Sequence, residues 1–163
     1  RDLWVLPMDG DRKPWVFLST KFDESFASIS PDGKWISYLS NETGAPQVYV
    51  RPFPSGEGKW QISSELSTRA DWSADGRRLY FSSAKGIMAV PITGTQSLTA
   101  GPPVILLKDY RGAAVESGVS YDISPDGQHI LVTRPKEGDT SLLQINLVMN
   151  WFDEIEKLVT QGK

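Results

Sequence analysis

Three tetrapeptides, Ser30-Pro31-Asp32-Gly33, Ser73-Ala74-Asp75-Gly76 and Ser124-Pro125-Asp126-Gly127, recur at separations of 43 and 51 residues. A period of that size belongs to arrays of small supersecondary units, and the four-stranded propeller blade is the unit of about that length. The tetrapeptide has a mechanical reason to repeat. Proline presets φ at the second position of a turn, Asp accepts local backbone N–H bonds, and Gly takes positive φ. Asp32, Gly33, Asp75, Gly76, Asp126 and Gly127 are therefore read as structural turn residues. Ala74 replaces the proline of the other two copies, which costs rigidity without changing the turn.

Short runs rich in aromatic and β-branched residues follow each turn: Lys34-Trp35-Ile36-Ser37-Tyr38-Leu39, Arg78-Leu79-Tyr80-Phe81 and His129-Ile130-Leu131-Val132-Thr133. They are strand signals bounded by turn signals. A second marker keeps the same phase. Leu3-Trp4-Val5-Leu6-Pro7, Val48-Tyr49-Val50-Arg51-Pro52 and Ile87-Met88-Ala89-Val90-Pro91 are apolar strands expected to stop at their prolines, which cannot donate to a ladder. Each blade then has an inner strand, the Asp-Gly hairpin, a second strand, a longer loop, a third strand and an outer strand. Outer strands are expected at Trp15–Ser19, Trp60–Ser63 and Val104–Lys108.

The expected architecture is all-β, a partial propeller over residues 1–163 of about three to three and a half four-stranded antiparallel blades. Residues 2–20 are the outer strands of a truncated blade, 24–63 and 67–108 are blades, and 117–150 hold the last one. Trp151, Ile155, Leu158 and Val159 share a helical face, so a short terminal helix is expected over 151–159. A start at Arg1, inside a repeat, reads as an excised piece of a longer protein.

Composition narrows the function. The 17 basic and 20 acidic residues are evenly mixed, with a formal net charge of −3, so neither nucleic acid nor an anionic membrane is an expected partner. No apolar run approaches the roughly 18 residues that cross a bilayer, so no direct membrane insertion is expected. With no cysteine, thiol nucleophiles and thiolate metal sites are excluded.

Catalytic, cofactor and metal sites are each read as none. His129 is the only histidine, and no Gly-x-Ser-x-Gly elbow accompanies it. Asp9-Gly10-Asp11 lacks the oxygen count that calcium needs, and Ser55-Gly56-Glu57-Gly58-Lys59 lacks the strand and helix of a phosphate loop. Trp4, Trp35, Trp60 and Trp72 fall on strands and are read as core between blades. The loops leading into inner strands carry the candidate interaction residues Phe22, Glu24, Phe26, Arg69, Tyr110, Arg111 and Glu116, a mixture suited to a protein or peptide.

The phrases Ser30-Pro31-Asp32-Gly33-Lys34-Trp35-Ile36-Ser37-Tyr38, Gln47-Val48-Tyr49-Val50-Arg51-Pro52-Phe53-Pro54 and Gly58-Lys59-Trp60-Gln61-Ile62-Ser63 resemble WD40-like (TolB-like) β-propeller repeats. More narrowly they are similar to the C-terminal propeller regions of bacterial serine/threonine protein kinases. The resemblance implies a non-catalytic interaction or sensing module of a larger bacterial protein, on the extracytoplasmic side, with an unknown protein or peptide partner. Kinase motifs are absent, so no kinase activity is carried over. The alternatives are a propeller gating a prolyl-oligopeptidase-type peptidase and a free periplasmic TolB-like scaffold. Fewer than four full blades leave apolar faces and strand edges open, and the isolated chain is expected to self-associate.

Overall fold

The computed structural model describes residues 1–94, 97–108, 110 and 121–133, and every regular element among them is a β-strand. β1 (Leu3–Val5) and β2 (Trp15–Leu18) form a hairpin. β3 (Glu24–Ile29), β4 (Trp35–Ser40), β5 (Gln47–Pro52) and β6 (Trp60–Gln61) make a four-stranded antiparallel sheet in sequence order. β7 (Ser67–Trp72), β8 (Arg78–Ser83) and β9 (Gly86–Thr93) repeat that meander, with β10 (Thr99–Ala100) and β11 (Val104–Lys108) sharing the outer edge of β9. β12 (Tyr121–Ile123) and β13 (Ile130–Val132) open a further sheet. The rest of the expected last blade and the helix expected over 151–159 lie outside the described residues.

Side chains alternate across each strand, so one sheet feeds two cores. On β4 and β5, Trp35, Leu39, Val48 and Val50 face the next sheet, where they meet Ala70, Leu79, Phe81, Met88 and Val90. Tyr38 and Tyr49 face the other way, onto Leu3, Phe17 and Leu18 of the hairpin. The second sheet repeats the pattern, since Tyr80, Ile87 and Ala89 turn toward Tyr121, Ile123, Ile130 and Val132. The result is face-to-face stacking of successive sheets, with β3 beside β7 along the converging inner edge. Backbone carbonyls help to tie the stack, because Trp72 Nε1–H donates to Ser28 O (3.2 Å) across the first interface.

Each tetrapeptide turn is built around its serine. Ser30 Oγ donates to Asp32 Oδ1 (2.6 Å) and accepts from the Trp35 N–H (3.0 Å), while the Lys34 N–H donates to Asp32 Oδ1 (3.1 Å). The same three bonds recur at Ser73, Asp75, Arg77 and Arg78 and at Ser124, Asp126, Gln128 and His129. Gly33, Gly76 and Gly127 have φ of 70°, 69° and 68°. The turn with Ala74 is thus superposable in its bonding and its glycine on the two that hold proline.

Two expectations are corrected. β9 does not stop at Pro91 but runs on to Thr93. The Pro91 carbonyl accepts the Gly101 N–H (2.8 Å), so the side of Pro91 that lacks an N–H faces the outer edge. There the partner strand is itself interrupted, by Gly101-Pro102-Pro103 between β10 and β11, and no ladder bond is lost. Trp4, expected in the core, is 60% exposed. It sits beside Val16 on the face of the hairpin opposite Leu3, and no described strand packs there. Trp35 is buried, and Trp60 and Trp72 pack partly buried against the first interface, as expected.

Two of the inner strands, β3 and β7, carry one irregularity each. The β3–β4 register shifts between Ser25 and Ser28, and the β7–β8 register shifts between Ser67 and Ala70. In the first of these bulges Phe26 adopts φ of 52°, a left-handed conformation that costs a bulky residue about 1–2 kcal/mol.

These backbone features set measurable differences. At Gly33 a Cβ would meet nothing within 4 Å, so Gly33→Ala loses only the left-handed preference, about 1 kcal/mol in denaturant titration. At Gly86 a Cβ would lie 2.0 Å from the Leu107 carbonyl oxygen, and Gly86→Ala should cost several times as much or prevent folding. At Phe26 the usual order inverts: Phe26→Gly should be more stable than Phe26→Ala by about 1 kcal/mol. Equal stability of that pair would remove the strain.

Hydrogen bonds from the turn serines, followed by those from local backbone, hold Asp75 and Asp126 below the ordinary value of 3.8; at Asp32 the Ser30 bond is again the largest cause. A carboxylate depressed in the folded state stabilises above its unfolded value and loses that contribution as pH falls through its folded value. Their contribution should therefore be constant above about pH 5 and be lost below about pH 4. Replacing Ser30, Ser73 and Ser124 together by Ala should flatten that acid limb, as read by urea midpoints against pH.

Candidate functional site

The loops over residues 19–23 and 62–66, which lead into β3 and β7, place the candidate residues at one end of the stack. Phe22 is half-buried, with its N–H donating to Thr20 Oγ1 (3.0 Å) and Lys21 Nζ 5.2 Å from its ring centre. Glu24 begins β3 and is buried. Thr20 Oγ1 donates to its Oε1 (2.6 Å), and the Asp23 N–H donates to Asn41 Oδ1 (2.9 Å). Its Oε2 and the Ser40 hydroxyl, from directly paired positions on β3 and β4, have no hydrogen-bond partner among the described residues. Burial takes Glu24 away from any surface contact and makes it part of the junction between hairpin and sheet.

Phe26 and Arg69 occupy the two inner-strand bulges and remain accessible. Phe26 is 50% exposed, so its strained backbone presents the ring instead of burying it. Arg69 is partly exposed and forms an ion pair with Asp71 (Nη2 to Oδ1, 2.7 Å) on its own strand, while its carbonyl accepts the Tyr121 hydroxyl (3.4 Å). Burial pushes that hydroxyl well above its usual range, which keeps it a donor. An exposed pair of this kind contributes little stability, so Arg69 is available to exchange Asp71 for a ligand carboxylate.

Tyr110, expected on a loop surface, is buried with Tyr80 and Tyr121, and its hydroxyl donates to Thr133 O (3.2 Å). Arg111 and Glu116 lie outside the described residues. Between the two sheets at the same end, a cavity of about 90 Å³ is lined by Ile62, Ser63, Phe81, Met88 and Pro103, and the Lys85–Glu65 ion pair lies at its margin.

His129 is exposed at the end of the third turn, where its backbone N–H is committed to Ser124 Oγ (2.9 Å). Among the described residues, no three His, Cys, Asp or Glu side chains gather to hold a metal ion. Asp11 accepts the Lys13 N–H (3.3 Å) in a turn, and Gly56 O accepts from Arg51 Nη1 (2.8 Å) in the β5–β6 loop, so both motifs are occupied with backbone geometry. Serine hydroxyls bridging each Asp-Gly turn are the residues that sequence reasoning overlooked. Their invariance across the three copies was the available signal.

No family model matches the chain. It is 36% identical over 84 residues to tricorn protease homolog 1 of Streptomyces coelicolor, covering 50% of this chain and 8% of that protein. It is 33% identical over 58 residues to putative tricorn protease homolog 2 of the same organism, covering 36% of this chain and 5% of that one. The matched segment is under a tenth of either relative's length. Among solved structures, TolB from Acinetobacter baumannii superposes with a TM-score of 0.60 at 19% identity, covering 85% of this chain and 33% of TolB. Antiparallel meanders stacked face to face and this structural likeness together establish a TolB-like β-propeller fold.

Proposed function

We propose that the chain is a non-catalytic binding segment of a propeller within a larger, peptidase-associated protein, and that its inner-strand edge presents Phe26 and Arg69 to a protein or peptide. The observation that carries this reading is the match of half the chain to a protein named as a tricorn protease homolog, in a segment whose fold is TolB-like. A propeller in that setting screens or delivers peptides while the chemistry is done elsewhere. Both relatives bear protease names, which supports the peptidase setting over the kinase-linked one that the sequence resemblance implied. An extracytoplasmic location belongs to the same proposal. No helix among the described residues is long and apolar enough to cross a membrane.

Incubation of the purified chain with a mixed peptide digest, followed by mass spectrometry, tests this. Peptides should be retained without new cleavage products, and Phe26→Ala and Arg69→Ala should each reduce retention. Cleavage that co-purifies with the chain and disappears in His129→Ala would overturn the non-catalytic assignment. Retention of no peptide would overturn the binding role.

We also propose that the isolated chain associates with itself through the open face of the β1–β2 hairpin. Trp4, Leu6 and Val16 are exposed there, and among the described residues β1 pairs with a neighbour on one edge only. Light scattering after size exclusion should show a dimer or larger species that Trp4→Ser with Val16→Thr shifts toward monomer. A wild-type monomer at tens of micromolar would refute it.

A further inference from the structure

The two sheet interfaces can be compared position by position, because the turns are equivalent. Toward the next sheet, the first copy presents Pro31, Trp35 and Ser37, and the second presents Ala74, Arg78 and Tyr80. In the first interface Pro31 closes against the following turn, with its Cδ 3.7 Å from where a Cβ on Gly76 would lie. Trp35 is buried against Trp60 (ring centres 5.5 Å apart), and Ser37 Oγ donates to Ser28 O (3.3 Å). All three positions are filled or satisfied.

In the second interface none of these closures is present. Ala74 has no ring to reach the third turn, and a groove of about 210 Å³ remains, lined by Trp72, Ala74, Tyr80, Ile123, Pro125 and Gly127. Arg78 is exposed, and its guanidinium makes no hydrogen bond or close ion pair among the described residues, although its charge reaches Asp75. The Tyr80 ring is buried, and its hydroxyl, which makes no hydrogen bond among the described residues, opens onto the groove. The two groups converge on one point. A Cβ built on Gly127 would lie 3.7 Å from Tyr80 Oη and 3.8 Å from Arg78 Nη1.

We infer that this groove between the second and third turns binds the side-chain carboxylate of an acidic residue in a peptide. A guanidinium and a hydroxyl on one point supply donors for the two oxygens of a carboxylate, and charge-assisted bonds of this kind are the strong ones. Trp72, Ile123 and Pro125 give the methylene stem an apolar wall. The volume lies below the roughly 300 Å³ at which pockets for whole small ligands begin, and it suits a single side chain. Asp75 and Asp126 stand in the flanking turns as carboxylates whose repulsion acts on any anion and is greater for a dianion such as phosphate than for a single carboxylate. Neither Phe26 nor Arg69 lines this groove, so it does not depend on their role as a binding edge.

The test is a titration of the isotope-labelled chain, followed by amide shifts in NMR, with the acetylated and amidated peptide Gly-Gly-Glu-Gly-Gly, its Gln counterpart, butyrate and inorganic phosphate at matched ionic strength. The Glu peptide should give saturable shifts at Tyr80 and Gly127, and the Gln peptide should bind about tenfold more weakly. Ala74→Pro restores the residue of the other two turns and Arg78→Ser alters an exposed side chain, so both should fold, and each should weaken binding about tenfold or more. Equal binding of the Glu and Gln peptides, shifts that do not saturate, equal effects from butyrate or phosphate, or variants that bind like wild type would each overturn the inference.

Discussion

β4 has no face that it can show to water. All six residues from Trp35 to Ser40 are buried, alternately against the hairpin and against the second sheet, and β8 and β9 are held in nearly the same way. A sheet in that position cannot be stable alone, because either face exposed would return most of its apolar area to solvent. Fully burying a side chain such as Val48, Val50 or Leu79 contributes about 1.5–3 kcal/mol, more than any single turn or surface ion pair in the chain. Stability is therefore shared between neighbours, and every sheet is part of the core of the next.

Sharing of this kind demands an accurate register. A slip of one residue would exchange the two faces of a strand, sending Trp35 and Leu39 toward the hairpin and Tyr38 toward Ala70 and Leu79. The serine-centred turn prevents this by fixing where the inner strand ends and the second begins. Its hydroxyl binds the first N–H of the new strand, its carbonyl accepts the Gly N–H, and its backbone N–H pairs with the carbonyl five residues on. The turn contributes modestly to stability and strongly to specificity.

That division explains what was legible in the sequence. The period, the turns and the β-strand positions could be read because each depends on local chemistry: proline and glycine punctuate, and alternate aromatic residues mark the strands. The pairing of Pro91 was misread because its outcome depends on Gly101-Pro102-Pro103, which is local in space and not in sequence. Trp4 was misread for a related reason, since a strand pattern gives the direction of a side chain and not what stands opposite it. Among the candidate contacts, Phe26 and Arg69 are accessible, whereas Glu24 and Tyr110 are buried. Loop membership alone could not separate them, because burial there is decided by Thr20 within the loop and by Asn41 and Thr133 from other segments.

A repeat also supplies its own control. Residues common to all copies, such as the turn Ser, Asp and Gly, are accounted for by folding, and they say little about binding. Differences between copies at equivalent positions carry the information that folding does not require. Phe26 and Arg69 occupy matching bulges, so the backbone sets the position of both and the side chains are free to differ. Trp35 and Arg78 begin the second strand of their sheets, yet one is sealed into an interface and the other is exposed beside an open groove. Folding alone would favour the sealed form in both places, because the apolar closure buries more area. An interface that stays open between Ala74 and Pro125 forgoes that apolar area, and a bound side chain whose stem lies on Trp72, Ile123 and Pro125 would restore part of it.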